Sequence, residues 1–338
     1  MPKRLSVSLA AIASWDNLVD AVTKAAKGKH TRPDVQFFYK NLERSLAHVQ
    51  RSILKAELVD GTYRSFIIRD PKPRVIHAAS FPDRVIHHAL INCIGARLEK
   101  SWVDSSYACR VGYGSHLSVL RAAQCCRTYN VVIKQDVRAY FPHIQHDVLI
   151  GLLQRQLKGE GLFWLIRSVL NSFTPKDTGL PIGALTSQYF ANHYLDGYQR
   201  WLRCRADVQS ELRYMDDVLV FCGSIENAHV IQEESALWLK ENRQLLLKPS
   251  IAQYTQIGVP FCGYHVRSGG IRLSKRRKRS YQRQLSQLYS GIYAGEISSL
   301  DAQQRACQLR SLCHPGSHLK WLRSVEQKMR KYHQVLEV

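Results

Sequence analysis

The chain has 338 residues, 45% of them apolar, which is enough to bury a core spread over two or three subdomains. Lys and Arg number 48 against 27 Asp and Glu, a formal net charge of +21 that calls for a polyanionic partner: nucleic acid first, an anionic membrane surface second. No run of about 18 apolar residues occurs, which excludes a predicted membrane span.

In chain order, Met1-Pro2-Lys3-Arg4-Leu5 leads into a short apolar run without the small-residue cleavage site of a signal peptide. Apolar spacing predicts helices over 14–27 and 34–58, the latter on Val35, Phe38, Leu42, Leu46, Val49 and Ile53. Two strands, 65–69 and 74–78, flank Asp70-Pro71-Lys72-Pro73, whose prolines suit a hairpin turn and not a helix. Helices are predicted over 83–100 and 115–128. The β-branched run Val131-Val132-Ile133 predicts a buried strand ending near Asp136, stopped by Pro142. Helices then reach about 172, and the turn-rich stretch 179–183 opens a long helix ending near 205. Apolar runs 212–214 and 218–221 predict a hairpin with Asp216 and Asp217 at its tip, followed by a helix over 225–243. Strands are predicted at 261–266 and 271–273. From Ser274 the chain is basic and helical, in about three pieces broken at 291–298 and 314–316. The fold class is α+β.

The nine cysteines contain no Cys-x-x-Cys pair, and Cys125 and Cys126 are adjacent, so they are read as reduced thiols of an intracellular protein. Neither they nor the fourteen histidines show the spacing of a metal site.

The acids carry the chemistry. Phosphoryl transfer to a sugar hydroxyl needs charge neutralised on the attacking and leaving oxygens. Two Mg²⁺ ions do this, and such hard cations demand carboxylate oxygens on rigid elements. One Asp ends an apolar strand in Lys134-Gln135-Asp136-Val137-Arg138-Ala139-Tyr140-Phe141, and two sit between apolar strands in Tyr214-Met215-Asp216-Asp217-Val218. Alone, each motif is more often a helix cap or a solvated turn. Together they place adjacent like charges where only cations would make sense of them.

On those residues the sequence resembles the reverse transcriptases. Tyr214-Met215-Asp216-Asp217 looks like the family's catalytic tetrapeptide, and Asp136 with Tyr140-Phe141 looks like its first catalytic block. Asp83-Arg84 and Ser106-Tyr107-Ala108-Cys109-Arg110-Val111-Gly112 resemble blocks of group II intron-type enzymes. The resemblance runs in order from about 35 to 325. It implies a right-hand polymerase with an N-terminal helical extension (1–60), fingers (61–130), a palm of antiparallel sheet on helices (131–270) and a helical thumb (271–338). It implies two Mg²⁺ ions, with Mn²⁺ a possible substitute, held by Asp136, Asp216, Asp217 and the Val137 carbonyl. Phe141 is implied as the gate against a ribose 2′-hydroxyl, the alternative being a core aromatic. Pro71-Lys72-Pro73-Arg74 looks like the hairpin that grips the triphosphate, with Lys72 and Arg74 neutralising charge. Phe261-Cys262-Gly263-Tyr264 looks like the primer grip. Arg110 and Lys134 are candidates for touching template or nucleotide, and Lys248 for donating a proton to pyrophosphate. Arg276, Arg279 and Arg283 share a helical face, with Tyr281 and Tyr289 nearby, that suits duplex phosphates; a solvated basic face is the alternative.

Most relatives carry Gln-Gly…Ser-Pro before the long palm helix. Here Leu180-Pro181-Ile182-Gly183-Ala184-Leu185-Thr186-Ser187-Gln188 puts Ile182 where the Gln stands and Gln188 where the Pro stands, around Gly183. That variant resembles the enzymes of diversity-generating retroelements, as does a length that leaves over no maturase, endonuclease or RNase H segment. It implies error-prone cDNA synthesis from a structured template RNA in the cytoplasm of a bacterial or phage-infected cell. A small basic helical accessory oligomer is implied as partner, and no membrane. The rival readings are an antiphage-defence or retron-type reverse transcriptase, and a non-catalytic RNA-binding or maturase-like protein.

Overall fold

The computed structural model describes residues 3–69, 73–173, 177–316 and 318–335. In chain order the elements are β1 (Leu5–Ser6), α1 (Leu9–Ile12), α2 (Trp15–Ala26), α3 (Pro33–Lys40), α4 (Leu42–Leu54), β2 (Tyr63–Arg69), β3 (Pro73–Ala79), α5 (Phe81–Ser101), α6 (Ser115–Thr128), β4 (Val131–Asp136) and α7 (His146–Gln154). Then follow β5 (Leu157–Lys158), α8 (Glu160–Asn171), α9 (Leu185–Arg203), β6 (Val208–Tyr214), β7 (Asp217–Cys222), α10 (Ile225–Arg243), β8 (Ala252–Tyr254), β9 (Val259–Phe261), β10 (Tyr264–Arg267), β11 (Gly270–Leu273), α11 (Lys275–Tyr293), α12 (Ser299–Ser311) and α13 (Leu319–Val335). The class is α+β, with antiparallel sheets and many helices. Among the described residues no helix is long and apolar enough to cross a membrane. The chain forms two compact units, one of Met1–Arg110, Val137–Leu202 and Glu234–Lys248, the other of Val111–Asp136, Arg203–Glu233 and Pro249–Val338.

In the first unit, α2 and α4 pack on α5. The predicted helix over 34–58 is two helices, because Asn41 leaves helical geometry (φ −118°) and its side-chain amide donates to the Phe37 carbonyl. Ser80 caps α5. Asp83, one turn in and 1% exposed, accepts backbone N–H bonds from Val59 (2.7 Å), Asp60 (3.3 Å) and Gly61 (2.8 Å), which fixes the loop entering the β2–β3 hairpin. The α9 and α10 helices are clasped by Arg243. Its Nε donates to the Tyr194 carbonyl (2.7 Å), its guanidinium lies over the Trp238 ring, and the Tyr194 hydroxyl donates back to the Arg243 carbonyl (2.8 Å). Gly197 provides the space, since a Cβ there would run into the Arg243 guanidinium.

His87 on α5 is buried against the Thr186 hydroxyl (Nδ1 to Oγ1 2.8 Å), and its Nε2 has no hydrogen-bond partner. Burial first, and the neighbouring His88 second, hold its pKa down to about 4. A depressed histidine means that the unfolded chain takes up the proton first, near pH 6.5. Stability is therefore full above that pH and is lost as pH falls toward 4. About 2 kcal/mol should be gone at pH 5 from this residue. Urea midpoints at pH 7 and pH 5 measure it, and His87→Gln should flatten the dependence; an unchanged slope in that variant contradicts the assignment.

The second unit is built on the sheet β6-β7-β4-β8, all antiparallel. Val131, Val132 and Ile133 are fully buried at its centre, as β-branched residues in a two-faced core strand should be. Along one face lie Ser210, Leu219, Phe221 and Val132, and α6 covers it, with Cys125 against Ser210 (3.6 Å) and the Tyr129 ring against Phe221. The predicted strand 261–266 is instead a hairpin, β9 and β10, turned by Cys262 (φ +46°) and Gly263 (φ +81°). A two-residue turn with both φ positive matches the twist of paired strands.

Candidate functional site

The three aspartates lie at one end of the second unit's sheet. Register sets Asp136, the last residue of β4, directly opposite Asp217, the first residue of β7. Direct antiparallel partners sit about 4.5–5.5 Å apart at Cα and point to the same face. Tyr214 pairs with Asp217 on the other side, so Met215 and Asp216 form a two-residue turn at the sheet's edge. Two carboxylates directly opposite on a sheet repel, which the fold must offset. Lys134, two residues before Asp136 and so on its face, reaches diagonally to Asp217 Oδ1 at 3.0 Å.

The turn itself is strained. Met215 has φ +57°, a left-handed conformation costly for a residue with a Cβ and common at functional sites. Arg213, 0% exposed, donates from Nη1 to the Met215 carbonyl at 3.0 Å and holds that conformation from beneath. Sequence reasoning passed over Arg213. The signal was present, a guanidinium inside an apolar strand run, where a buried charge needs a specific partner.

The Cys262-Gly263 turn lies beside this end of the sheet. Burial pushes the Cys262 thiol up to about 12, its Sγ accepts from the Ser118 hydroxyl (3.7 Å), and it also feels the Asp217 carboxylate and the Lys134 ammonium. Tyr264, expected to touch nucleic acid, has a side chain that is 0% exposed, and its hydroxyl donates to the Leu312 (3.1 Å) and His314 carbonyls. The Arg277 guanidinium stacks on the Tyr264 ring (4.4 Å) and donates to Leu312 (3.1 Å). Tyr264 thus fixes the hairpin to the helices that follow it. On α11, Arg276, Arg279 and Arg283 are exposed as the spacing predicts. Tyr281 is not beside them; it faces inward, its hydroxyl on Glu326 (3.0 Å) and its ring against Trp321.

In the first unit the β2–β3 hairpin meets the loop before α9. His77 N–H donates to the Ile182 carbonyl at 2.9 Å. Gly183 has φ +121°, and a Cβ on it would come 2.9 Å from Ile76 Cγ2 and 3.3 Å from the His77 carbonyl oxygen. Only glycine lets the two segments close. Gly183→Ala should cost about 2–4 kcal/mol from strain and overpacking. Denaturant midpoints of the two proteins check this, and a wild-type midpoint in the variant contradicts it.

Ile182 is half-buried, and Gln188 accepts from the Cys109 thiol (3.4 Å). Arg74 is exposed on β3, opposite Ile68, while Lys72 lies outside the described residues. Phe141 is half-buried, edge-on to Tyr140, and its carbonyl accepts from Leu180 N–H (2.9 Å). Val137 is buried and bridges Leu247, next to the exposed Lys248. Arg110, a candidate for touching template, lies against the end of α5. Its guanidinium donates to the Val103 (2.8 Å), Ser106 (3.1 Å) and Glu99 (3.5 Å) carbonyls and staples the end of α5.

Among the described residues no three Asp, Glu, His or Cys side chains converge into a coordinating group. The donor chemistry at the sheet's end nevertheless fits hard divalent cations: carboxylate oxygens only, on a strand end and a tight turn. Backbone register sets Asp136 opposite Asp217, with Asp216 in the adjoining turn.

Comparison with known proteins bears on this arrangement. The family described as reverse transcriptase (RNA-dependent DNA polymerase) matches residues 68–266, more than half of the chain and all three aspartates. A putative COX1/OXI3 intron 2 protein of Saccharomyces cerevisiae is 29% identical over 103 residues, 27% of this chain and 12% of that protein. An uncharacterized 91 kDa protein in a cob intron of Schizosaccharomyces pombe is 26% identical over 139 residues, 39% of this chain and 17% of that protein. The matched stretches span less than a fifth of these relatives' lengths.

Proposed function

This chain belongs to the reverse transcriptase family, and from that premise we propose that Asp136, Asp216 and Asp217 are its catalytic carboxylates. The chain is an RNA-dependent DNA polymerase, which takes template RNA and dNTPs. The observation that carries the site is register: Asp136 opposite Asp217, with Asp216 in the adjoining turn. These side chains, with the Val137 carbonyl, hold two Mg²⁺ ions, and Mn²⁺ can stand in. When bound, such ions neutralise charge on the oxygens that exchange at phosphorus. Lys72 and Arg74 meet the triphosphate, Phe141 screens the sugar, and Ile182, Gly183 and Gln188 lie against the nascent pair. Arg276, Arg279 and Arg283 track duplex phosphates. Residues 61–130, 131–270 and 271–338 serve as fingers, palm and thumb of a right-hand polymerase, behind a helical extension.

The finer reading is a mutagenic enzyme of the diversity-generating type, working with a structured RNA and a small basic helical accessory oligomer. Its support is Ile182, whose side chain offers no hydrogen bond where most relatives have Gln. One hydrogen bond is worth about 0.5–1.5 kcal/mol net, up to about tenfold in selection between right and wrong nucleotides. Ile182→Gln should therefore lower misincorporation by about three- to tenfold with little change in correct insertion. Sequencing cDNA made on a defined RNA template measures this. An unchanged error spectrum rules out residue 182 as a source of infidelity.

A further inference from the structure

The Lys134–Asp217 pair occupies an oxygen that the proposed chemistry needs. Strand alternation puts Lys134 and Asp136 on one face of β4, and register puts Asp217 on the same face of β7. Directly across from Lys134 stands Leu219, which offers no charge, yet the ammonium leans diagonally to Asp217 Oδ1 at 3.0 Å. Both side chains are mostly buried, 27% and 28% exposed, so salt screens the pair less than a surface pair. Beside it stands the Cys262 turn, whose thiol feels both the Asp217 and the Lys134 charge. Arg213 belongs to the opposite face of the sheet, and its Nη1 donates to the Met215 carbonyl.

A flexible lysine is suited to a temporary partnership. Its ammonium is a point charge on a four-carbon stem and can leave without disturbing the sheet. We propose that Lys134 is a resident counter-ion of the carboxylate cluster. It holds Asp217 while divalent cations are absent and must release it before they bind, so that it raises the cation concentration at which the site fills. In the ion-free enzyme the same contact offsets the repulsion between Asp136 and Asp217. This inference rests on the carboxylate reading above.

The test uses the full chain without nucleic acid, and Mn²⁺ as probe, with binding read from the loss of the free-ion electron paramagnetic resonance signal. Lys134→Met and Lys134→Gln should each bind Mn²⁺ about fivefold to tenfold more tightly than wild type. Their melting temperature without divalent ions should fall, and Mn²⁺ should raise it by more than it does in wild type. Lys134→Arg keeps a cation and should bind Mn²⁺ no more tightly than wild type. Equal or weaker binding in both neutral variants overturns the counter-ion role. A separate result speaks to the underlying site: if wild type shows no saturable Mn²⁺ binding that Asp216→Asn weakens, the carboxylate reading fails whatever Lys134 does.

Discussion

Asp216→Asn is expected to lower kcat for RNA-templated extension by about a thousandfold or more, while leaving the protein folded. Asparagine has the same shape, and residue 216 lies in a two-residue turn outside the sheet's ladder, so no strand pairing is lost. What is lost is one negative charge from a group of three. The stability of the ion-free protein should therefore hold or rise slightly, because like charges at close range repel. The two readouts move apart, and that separates a catalytic role from a structural one. Single-turnover incorporation on a primed RNA, with thermal melts in EDTA, makes the comparison. Activity within tenfold of wild type contradicts the role given to Asp216.

Arg213→Met is expected to be damaging in a different manner. The side chain is wholly buried and is the charge-assisted donor to the Met215 carbonyl. Hydrogen bonds to charged groups contribute about 1.5–3 kcal/mol, and stability should fall by that order. The larger effect should be on the chemistry. Met215 stays at φ +57° because the structure around it enforces that conformation. Without the guanidinium the turn can relax and carry Asp216 with it, and a shift of about 1 Å can cost about a hundredfold in rate. Lowered kcat with dNTP KM near normal is the expected pattern. Denaturant midpoints and steady-state kinetics check both effects, and a variant with normal kcat shows that the turn needs no such support.

Much of this fold was legible from period alone. The run Val131-Val132-Ile133 is β-branched and apolar, and the strand it opens ends at Asp136 as expected; the helix over 225–243 is found where the sequence puts it. Local chemistry wrote these segments, so local reading finds them. The short strands β1, β5 and β8 were not legible, since two or three residues carry no period and exist only because a partner strand is present. The break at Asn41 depends on a side chain that caps the Phe37 carbonyl one turn back, and the Cys262 turn on a residue other than glycine at positive φ.

The site divides in the same way. The three aspartates stand out in sequence because adjacent acids between apolar runs need a reason. Their register does not follow from sequence, nor does the diagonal reach of Lys134. Arg110, Tyr264 and Tyr281 show the limit most clearly. Each belongs to a residue type that nucleic-acid surfaces favour. Here Arg110 binds carbonyls at a helix end, while the tyrosine hydroxyls bind partners from the C-terminal helical stretch: carbonyls for Tyr264 and Glu326 for Tyr281. Whether an arginine or tyrosine faces outward is decided by packing partners far away in sequence, such as Leu312 for Tyr264.

The most direct measurement is anomalous diffraction at the manganese edge, from crystals grown with primer, RNA template, a non-hydrolysable dNTP and Mn²⁺. The expected map has two peaks about 3.5–4 Å apart, with carboxylate oxygens of Asp136 and Asp216 around them and Asp217 completing the cluster. Peaks elsewhere on the chain, or ions held by the nucleotide with none of these three side chains in reach, would contradict it.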